Sequence, residues 1–439
     1  MKMGINEHIT VVNSQKKIDR KTRQKSILGG VAGNLVEWYD WFAYSMFTLY
    51  FAKSFFPAGN QTIELLQAAA VFAVGFLMRP IGAWIMGVYA DRKGRKAGLT
   101  LSVTLMCGGS FLIACAPTYA QIGMIAPLIL LFARLIQGLS VGGEYGASAT
   151  YLTEMAGKNK RGFYSSIQYV TILAGQLLAL LTLIILQNIL TTEQLATWGW
   201  RIPFAIGGLL ALTVFVIRRN MVESESFKNA ETKEKSGLIT LLKNHPKEAL
   251  GVVFITVAGT LLFYSYTNYM QKFLVNTTGF TKETATIIST CTIFAFLCLQ
   301  PIMGMISDKI GRKKMMIVFG IGGVLLTYPI FSAIAIVSNP ITAGLLIFAG
   351  MIPLSCYTSI SAVIKSEMFP SHIRALGVAL PYAIAAALFG GTAELVALQF
   401  KQMGHEHYFF IYLCIMSAIG LAYFVSMKDQ QKHSKIIED

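Results

Sequence analysis

Long apolar segments are the feature that most constrains how this chain folds. A helix needs roughly 20 mostly apolar residues to cross the hydrocarbon core of a bilayer. Only 13% of the 439 residues are charged, whereas soluble domains carry about 25% charged residues. We therefore expect an all-α integral membrane protein with twelve transmembrane helices, near residues 27–50, 65–90, 97–116, 122–152, 163–187, 201–217, 247–275, 283–306, 314–337, 341–368, 374–400 and 407–427.

The basic residues are distributed unevenly between these windows. The net charge is +15, and most Lys and Arg fall in tails and loops on one side if the N-terminus is cytoplasmic. This asymmetry follows the positive-inside rule, so the charge orients the protein and does not indicate a nucleic acid partner. Both termini are expected in the cytoplasm. The few basic residues expected on the outer side are Lys53, Arg201, Lys272, Lys282 and Lys401.

A polar segment rich in Lys and Glu divides the windows six and six. Such a segment reads as a linker between two units. The predicted organisation is a cytoplasmic tail at 1–26, an N-terminal six-helix bundle at 27–217, a cytoplasmic linker at 218–246, a C-terminal six-helix bundle at 247–427 and a cytoplasmic tail at 428–439.

A loop motif recurs at the same place in each half. G-x-x-x-D-R-x-G-R-K begins at Gly87 after the second window, and G-x-x-x-D-K-x-G-R-K begins at Gly304 after the eighth. Repetition at a fixed offset indicates an internal repeat. An Asp at the C-terminal end of a helix faces the unfavourable pole of the helix dipole, so Asp91 and Asp308 are expected to contact another helix N-terminus or an arginine.

A weaker pair of motifs supports the repeat, because a Glu and an Arg seven residues apart follow both the fourth and the tenth windows. Charged networks between halves on one membrane face can break and re-form as the halves rock. The alternative is that these loops only anchor the topology. The expected gating residues are Asp91, Arg95, Glu154, Arg161, Asp308, Arg312, Glu367 and Arg374.

Four charged residues fall near mid-depth of the N-terminal half. Glu37 and Asp40 share one helix face with Tyr44, because residues three and four apart are neighbours on a helix. Arg79 and Arg134 lie about halfway along the second and fourth windows. Ionisable residues inside a membrane are costly and mark functional pathways. The alternative is a set of buried ion pairs that only holds helices together.

The chemistry of these four residues indicates an anion site with a proton carrier. Arginine is a planar, permanently charged fork suited to carboxylate or phosphate. Glu37 and Asp40 are the expected proton-coupling residues, since all six histidines fall in tails, loops or helix ends. An entering dianion would leave the neutral cluster negative, so proton and anion are expected to bind together. The expected substrate-binding residues are Arg79, Arg134, Tyr44, Tyr264 and Tyr357.

Glycines recur every fourth residue in the fourth window, at Gly138, Gly142 and Gly146. Such a stripe lets a neighbouring helix approach closely, either as a moving contact or as static packing. The six cysteines lie inside predicted windows without metal-ligand spacing. No metal site, no cofactor and no enzymatic motif is predicted.

These motifs together resemble the Major Facilitator Superfamily. The repeated loop and R-x-x-x-G-x-x-x-G in the fourth window carry the resemblance to the superfamily, while E-W-Y-D, G-F-L-M-R-P-I-G and Q-G-L-S-V-G-G-E-Y are similar to its metabolite:proton symporters. The resemblance covers essentially the whole chain. It implies a fold of two six-helix bundles, with alternating access.

The resemblance also implies a function. It implies import of alpha-ketoglutarate or a similar dicarboxylate together with protons, driven by the proton gradient, by a monomer in the lipid of the bacterial inner membrane. It makes Arg79 a substrate contact, and Asp91 and Arg95 gate residues. Two alternatives remain open: a symporter for another organic anion such as citrate or shikimate, because pocket shape and not fold sets specificity, and a non-transporting membrane receptor or sensor.

Overall fold

The computed structural model describes residues 20–93, 95–142, 145, 149, 150, 153, 156, 158–219, 238–370 and 373–436, and all regular elements within these ranges are helical. Twelve long helical segments overlap the twelve predicted windows. They are α1 Arg20–Phe55, α2 Gln61–Lys93, α3 Arg95–Ala114, α4 Ile125–Val141, α5 Arg161–Ile189, α6 Ile202–Arg219, α7 Pro246–Asn276, α8 Lys282–Ile310, α9 Arg312–Ile336, α10 Pro340–Ser366, α11 Arg374–Gln402 and α12 His407–Ser426.

Length and composition support the membrane assignment. Among the described residues, nine helices are long and apolar enough to cross a bilayer, and parts of α3 and α4 form two shorter apolar helices. The remaining segment, α1, carries Glu37 and Asp40 within its apolar face. The predicted all-α membrane architecture is confirmed.

The segments pack as two bundles of six. In the first bundle, α2 and α3 pack on α4, while α1 packs on α5 and α6; in the second, α9 packs on α10 and α12, while α7 packs on α11 and α12. Between the bundles, α5 packs along α8 and α2 packs along α11. These two pairs are equivalent under the internal repeat, so the two halves meet through matching helices.

Three segments of the second bundle depart from regular α-helix. A π-helical turn at Ser265–Tyr269 interrupts α7, another at Ala386–Gly390 interrupts α11, and a turn at residues 359–360 breaks α10. Such single turns are frequent at functional sites. Tyr264 directly precedes the first of these turns, and Tyr357 lies two residues before the break in α10.

Glycines bring α4 into backbone contact with α2. A Cβ atom at Gly138 would overlap the carbonyl oxygen of Gly75, and one at Gly142 would overlap that of Arg79. The predicted close approach is therefore present, while Gly146 lies outside the described residues. Because α2 and α4 carry Arg79 and Arg134, this contact determines how near the two guanidinium groups lie.

The predicted linker is only partly within the described ranges. Residues 220–237 lie outside them, and Leu238–Asn244 at its C-terminal end forms a short helix against α7 and the start of α11. The domain limits predicted from the sequence stay predictions.

Candidate functional site

A tryptophan of α1 lies between the two buried arginines. The guanidinium carbon of Arg79 is 4.2 Å from the ring centroid of Trp41, and that of Arg134 is 4.0 Å from the same centroid. The two cations are therefore no further apart than the sum of these distances. Arg79 is 3% exposed and Arg134 is fully buried. Cation–π contacts offset part of the cost of removing each charge from water.

Each arginine keeps one edge of its fork without a protein partner. In both side chains Nε and Nη2 make no hydrogen bond to any described residue. These two nitrogens form the side-on edge that binds a carboxylate in a bidentate manner. Buried donors are normally satisfied, so the unpaired edges indicate that this site receives an acceptor from outside the protein.

Asp40 is connected to Arg134 through a glutamine. Nη1 of Arg134 donates to Oε1 of Gln137 over 2.7 Å, and Nε2 of Gln137 donates to Oδ2 of Asp40. Ser110 donates to the other carboxylate oxygen over 2.6 Å. Gly207 of α6 lies against the same carboxylate, where a Cβ would overlap it. Asp40 is thus a buried acid whose two carboxylate oxygens both accept hydrogen bonds, and Gln137 connects it to Arg134.

Glu37 lies one helical turn from Asp40 but borders a different space. It lines a small cavity between α1, α3, α4 and α6 together with Ser102, Met106 and Ser140. The structure connects Asp40 to the arginine pair through Gln137.

The predicted tyrosines divide into two neighbouring clusters. Tyr44 donates to the carbonyl of Ala68 over 2.9 Å, and its ring centroid is 4.5 Å from the guanidinium of Arg134. Tyr264 packs edge-on against Phe76, and the guanidinium carbon of Arg79 lies 3.8 Å from the ring centroid of Phe76. Tyr357 lies instead in a cluster of the second bundle, where its ring stacks on Phe319.

Asp308 contacts both a helix N-terminus and an arginine, as its motif predicts. Its carboxylate accepts hydrogen bonds from the backbone N–H groups of Gly162 and Phe163, at 2.8 and 3.0 Å, in the first turn of α5. Nη1 of Arg312 lies 3.0 Å from the same carboxylate. A Cβ at Gly162 would lie 2.5 Å from the carbonyl oxygen of Gly304, so the motif glycine permits this approach of the two bundles.

The other predicted gating residues differ in what the structure shows. Glu367 pairs with Arg312 at 3.6 Å, and Arg374 donates to the carbonyl of Phe369 over 3.0 Å. Arg161 donates to Ser434 of the C-terminal segment over 3.4 Å. The side chains of Asp91 and Arg95, and the whole of Glu154, lie outside the described residues.

The C-terminal segment lies across this cytoplasmic network. The backbone N–H of Lys435 donates to the carbonyl of Glu367 over 2.9 Å, and Gln431 donates to the carbonyl of Asp308 over 3.0 Å. The carbonyl of Lys435 accepts from Arg374. Residues 428–436 therefore lie on the face predicted to be cytoplasmic.

On the opposite side, a buried ion pair of the second bundle contacts the first bundle through its lysine. Lys272 of α7 pairs with Glu394 of α11 at 2.9 Å and donates to the hydroxyl of Ser45 in α1. Lys282 adds a hydrogen bond of 2.7 Å to the carbonyl of Leu49. Lys272, expected on the outer side, is fully buried. Glu37, Asp40, Arg79 and Arg134 of the first half are therefore not the only buried charged residues.

Sequence reasoning missed four polar residues of these sites. Gln137 and Ser110 have no distinctive sequence signal beyond being polar groups within apolar windows. Glu394 is a carboxylate inside the eleventh window and Lys365 an amine near the end of the tenth, and both carry the signal of an intramembrane charge.

Comparison with known proteins decides the family. The Major Facilitator Superfamily model matches residues 32–393 and again 249–438. The chain belongs to the Major Facilitator Superfamily. The fold agrees, since a D-xylose-proton symporter of known structure superposes with a TM-score of 0.72 at 19% identity, over 93% of this chain and 99% of that chain.

Curated relatives are similar along nearly the whole chain. The alpha-ketoglutarate permease of Escherichia coli is 48% identical, over 96% of this chain and 98% of the relative. The citrate-proton symporter of Klebsiella pneumoniae is 31% identical, over 85% and 84%. The proline/betaine transporter of Salmonella typhimurium is 31% identical, over 94% and 85%. These relatives are named as transporters, which confirms the prediction that the chain is not an enzyme.

Proposed function

We propose that this protein is a proton-coupled symporter that imports alpha-ketoglutarate or a similar dicarboxylate by alternating access. The observation that carries the proposal is the 48% identity to the Escherichia coli alpha-ketoglutarate permease along nearly the full length of both chains. The geometry supports the same substrate class, because Arg79 and Arg134 each keep a carboxylate-binding edge unpaired in a buried site.

Coupling follows from the connection between Asp40 and Arg134. Without substrate, the arginine charge and the Gln137 amide stabilise the Asp40 carboxylate. A dianion that binds Arg134 brings excess negative charge into a low-dielectric site, which is costly. Protonation of Asp40 offsets part of that charge, so the loaded site carries a proton and the anion together. The proton gradient is then the driving force, and no cofactor takes part.

Transport requires the contacts on the two sides to open in turn. The moving units are the bundles at 27–217 and 247–427, joined by the linker at 218–246. The inner contact is that of Asp308 with the start of α5, and the outer contact is that of Lys272 with Ser45. Asp91, Arg95, Glu154 and Arg161 are the proposed gating residues of the first half. The protein acts as a monomer in the bacterial inner membrane, with both termini in the cytoplasm.

A second candidate substrate is citrate or a related organic anion. The relative named as a citrate-proton symporter favours it, at 31% identity. Shikimate is a further candidate of this kind. The lower identity makes these substrates secondary to alpha-ketoglutarate.

Uptake into proteoliposomes tests the proposal. Labelled alpha-ketoglutarate is offered with unlabelled alpha-ketoglutarate, succinate, citrate or shikimate as competitors. We expect unlabelled alpha-ketoglutarate to compete most strongly. Stronger competition by citrate would move the assignment to the second candidate, and absence of uptake by folded, correctly inserted protein would refute it.

A further inference from the structure

Lys365 of α10 is a fully buried cation in an aromatic setting. Its Nζ donates to Ser361 over 2.8 Å and to the hydroxyl of Tyr145 over 3.4 Å. The same nitrogen lies 4.3 Å from the ring centroid of Tyr382. Its exposed fraction is 0%. Its protein partners are thus neutral hydroxyl groups and ring faces.

The other buried cations of the second bundle have partners of a different kind. Lys272 pairs with Glu394, and Arg312 pairs with Asp308 and Glu367. Arg374 donates to backbone carbonyls. Within the described ranges, Lys365 has no carboxylate within 4 Å. Burying a charge without a counter-charge costs several kcal/mol, so the arrangement favours a ligand that supplies a negative charge.

A second observation places an unused polar group at the same point. The hydroxyl of Tyr357 is fully buried and makes no hydrogen bond to a described residue, and its ring centroid is 5.6 Å from Nζ of Lys365. Gly259 of α7 makes room for this ring, because a Cβ there would overlap it. The lysine and the phenol together present two donors to one carboxylate.

A continuous band of aromatic rings connects Lys365 to the arginine pair. The ring of Tyr382 stacks on Tyr145 with a centroid distance of 3.6 Å. Successive ring contacts run from Tyr357 through Tyr169, Phe263 and Tyr264 to Phe76, whose ring centroid lies 3.8 Å from the guanidinium carbon of Arg79. The band crosses from the second bundle to the first and has a cation at each end, Lys365 beside Tyr357 and Arg79 beside Phe76.

We propose that Lys365 binds the second carboxylate of the transported dianion from the C-terminal bundle, while the Arg79 and Arg134 pair binds the first carboxylate from the N-terminal bundle. The inference rests on the proposed function and extends it to the basis of specificity. A monocarboxylate of the same carbon chain satisfies the arginines and leaves Lys365 without its counter-charge. Selectivity for dianions over monoanions therefore depends on Lys365.

The test compares alpha-ketoglutarate with 2-oxopentanoate, which has the same chain and lacks the second carboxylate. KM is measured for labelled alpha-ketoglutarate, and the inhibition constant is measured for unlabelled 2-oxopentanoate. We expect Lys365→Gln to raise the KM by roughly 10- to 100-fold, the range for a lost charge-assisted hydrogen bond, and to leave the inhibition constant nearly unchanged. Lys365→Arg should recover part of the loss, since it keeps the charge.

A matched control is Lys401→Gln, which removes a partly buried lysine that pairs with Glu406 at the far end of α11. It should change neither constant. A purely structural role of Lys365 would alter the maximal rate or both constants together, and the selectivity ratio separates these cases. An unchanged ratio in an active Lys365→Gln protein overturns the inference and leaves the proposed function intact.

If the variants do not fold, the inference is tested on wild-type protein by comparing its binding of 2-oxopentanoate and alpha-ketoglutarate. Wild-type protein that binds 2-oxopentanoate as tightly as alpha-ketoglutarate overturns the inference. A preference of at least about tenfold for the dianion supports it. Wild-type protein that takes up no dicarboxylate overturns the proposed function, and the inference falls with it.

Discussion

At the scale of single residues, the proposed site depends on two arginines that contact the same tryptophan. Stacking on Trp41 fixes both guanidinium planes, and the packing of α2 on α4 fixes their separation. A fixed fork loses little entropy when it binds a carboxylate. Under the proposed function, the unpaired edges of the arginines are in place before the substrate arrives, which favours binding.

Replacing Arg79 with lysine tests this use of the fork. Arg79→Lys keeps the charge but loses the planar stack on Phe76 and Trp41 and the bidentate edge. We expect uptake efficiency to fall at least about tenfold, in line with the loss of one charge-assisted hydrogen bond. The control is Arg201→Lys, which alters an arginine bonded to the carbonyls of Thr197 and Ala116. Near-normal uptake by Arg79→Lys would remove this residue from the site.

Residue types and windows predicted the arginine pair and Asp40, but not the groups that connect them. The i, i+3 relation of Arg134 and Gln137 is readable from sequence, whereas the contact of Gln137 with Asp40 depends on how α1 packs on α4. Lys365 lies near the end of the tenth window, where lysines usually belong to the cytoplasmic side, so the sequence does not predict its burial. Its burial arises from two tyrosines, Tyr145 from the chain after α4 and Tyr382 from α11.

At the scale of helices, the repeated loop motif predicted its own contact. Asp308 at the end of α8 accepts from the first N–H groups of α5, which satisfies both an orphan helix terminus and an unfavourably placed carboxylate. The irregular turns in α7 and α10 could not be predicted, because their sequences carry no Gly or Pro at those points. In α11, Gly390 and Gly391 mark the end of the irregular turn.

The contact between α2 and α4 gives a stability prediction. Gly138→Val would place side-chain atoms against the backbone of Gly75 and the side chain of Met78. We expect it to destabilise the protein by roughly 1–3 kcal/mol, the usual cost of overpacking, seen as a lower Tm in detergent.

The matched control for this substitution is Gly108→Val in α3. A Cβ at Gly108 has no atom within 4 Å, so the same change of residue type adds no overlap there. Equal Tm values for the two variants would contradict the close packing of α2 on α4.

At the scale of the whole molecule, the bundles are joined on both sides of the membrane region. Asp308 joins the bundles on the side predicted to be cytoplasmic, and Lys272 with Ser45 and Glu394 joins them on the opposite side. Thr62 and Asn276 also meet across the bundles on the outer side, at 3.3 Å. Such a state is closed at both ends, and each direction of opening must break one set of contacts.

Weakening the contacts between the bundles on one side should therefore change cross-linking on the outer side. In a background without native cysteines, Thr62→Cys with Asn276→Cys should form a disulfide readily. Adding Glu394→Gln weakens the Lys272 pair and should lower the yield, because it favours outer opening. Adding Asp308→Asn should maintain or raise the yield, since it favours opening on the cytoplasmic side. Equal disulfide yields in both variants would argue against two sets of contacts that hold opposite ends of the protein closed.

We expect Asp40 to carry the proton that accompanies the anion at Arg134. The most direct measurement is uptake of labelled alpha-ketoglutarate into proteoliposomes with and without an inward proton gradient. Wild-type protein and Glu37→Gln should respond to the gradient. Asp40→Asn should take up substrate equally in both conditions while still exchanging it across the membrane. Gradient-driven uptake that persists in Asp40→Asn would contradict the account.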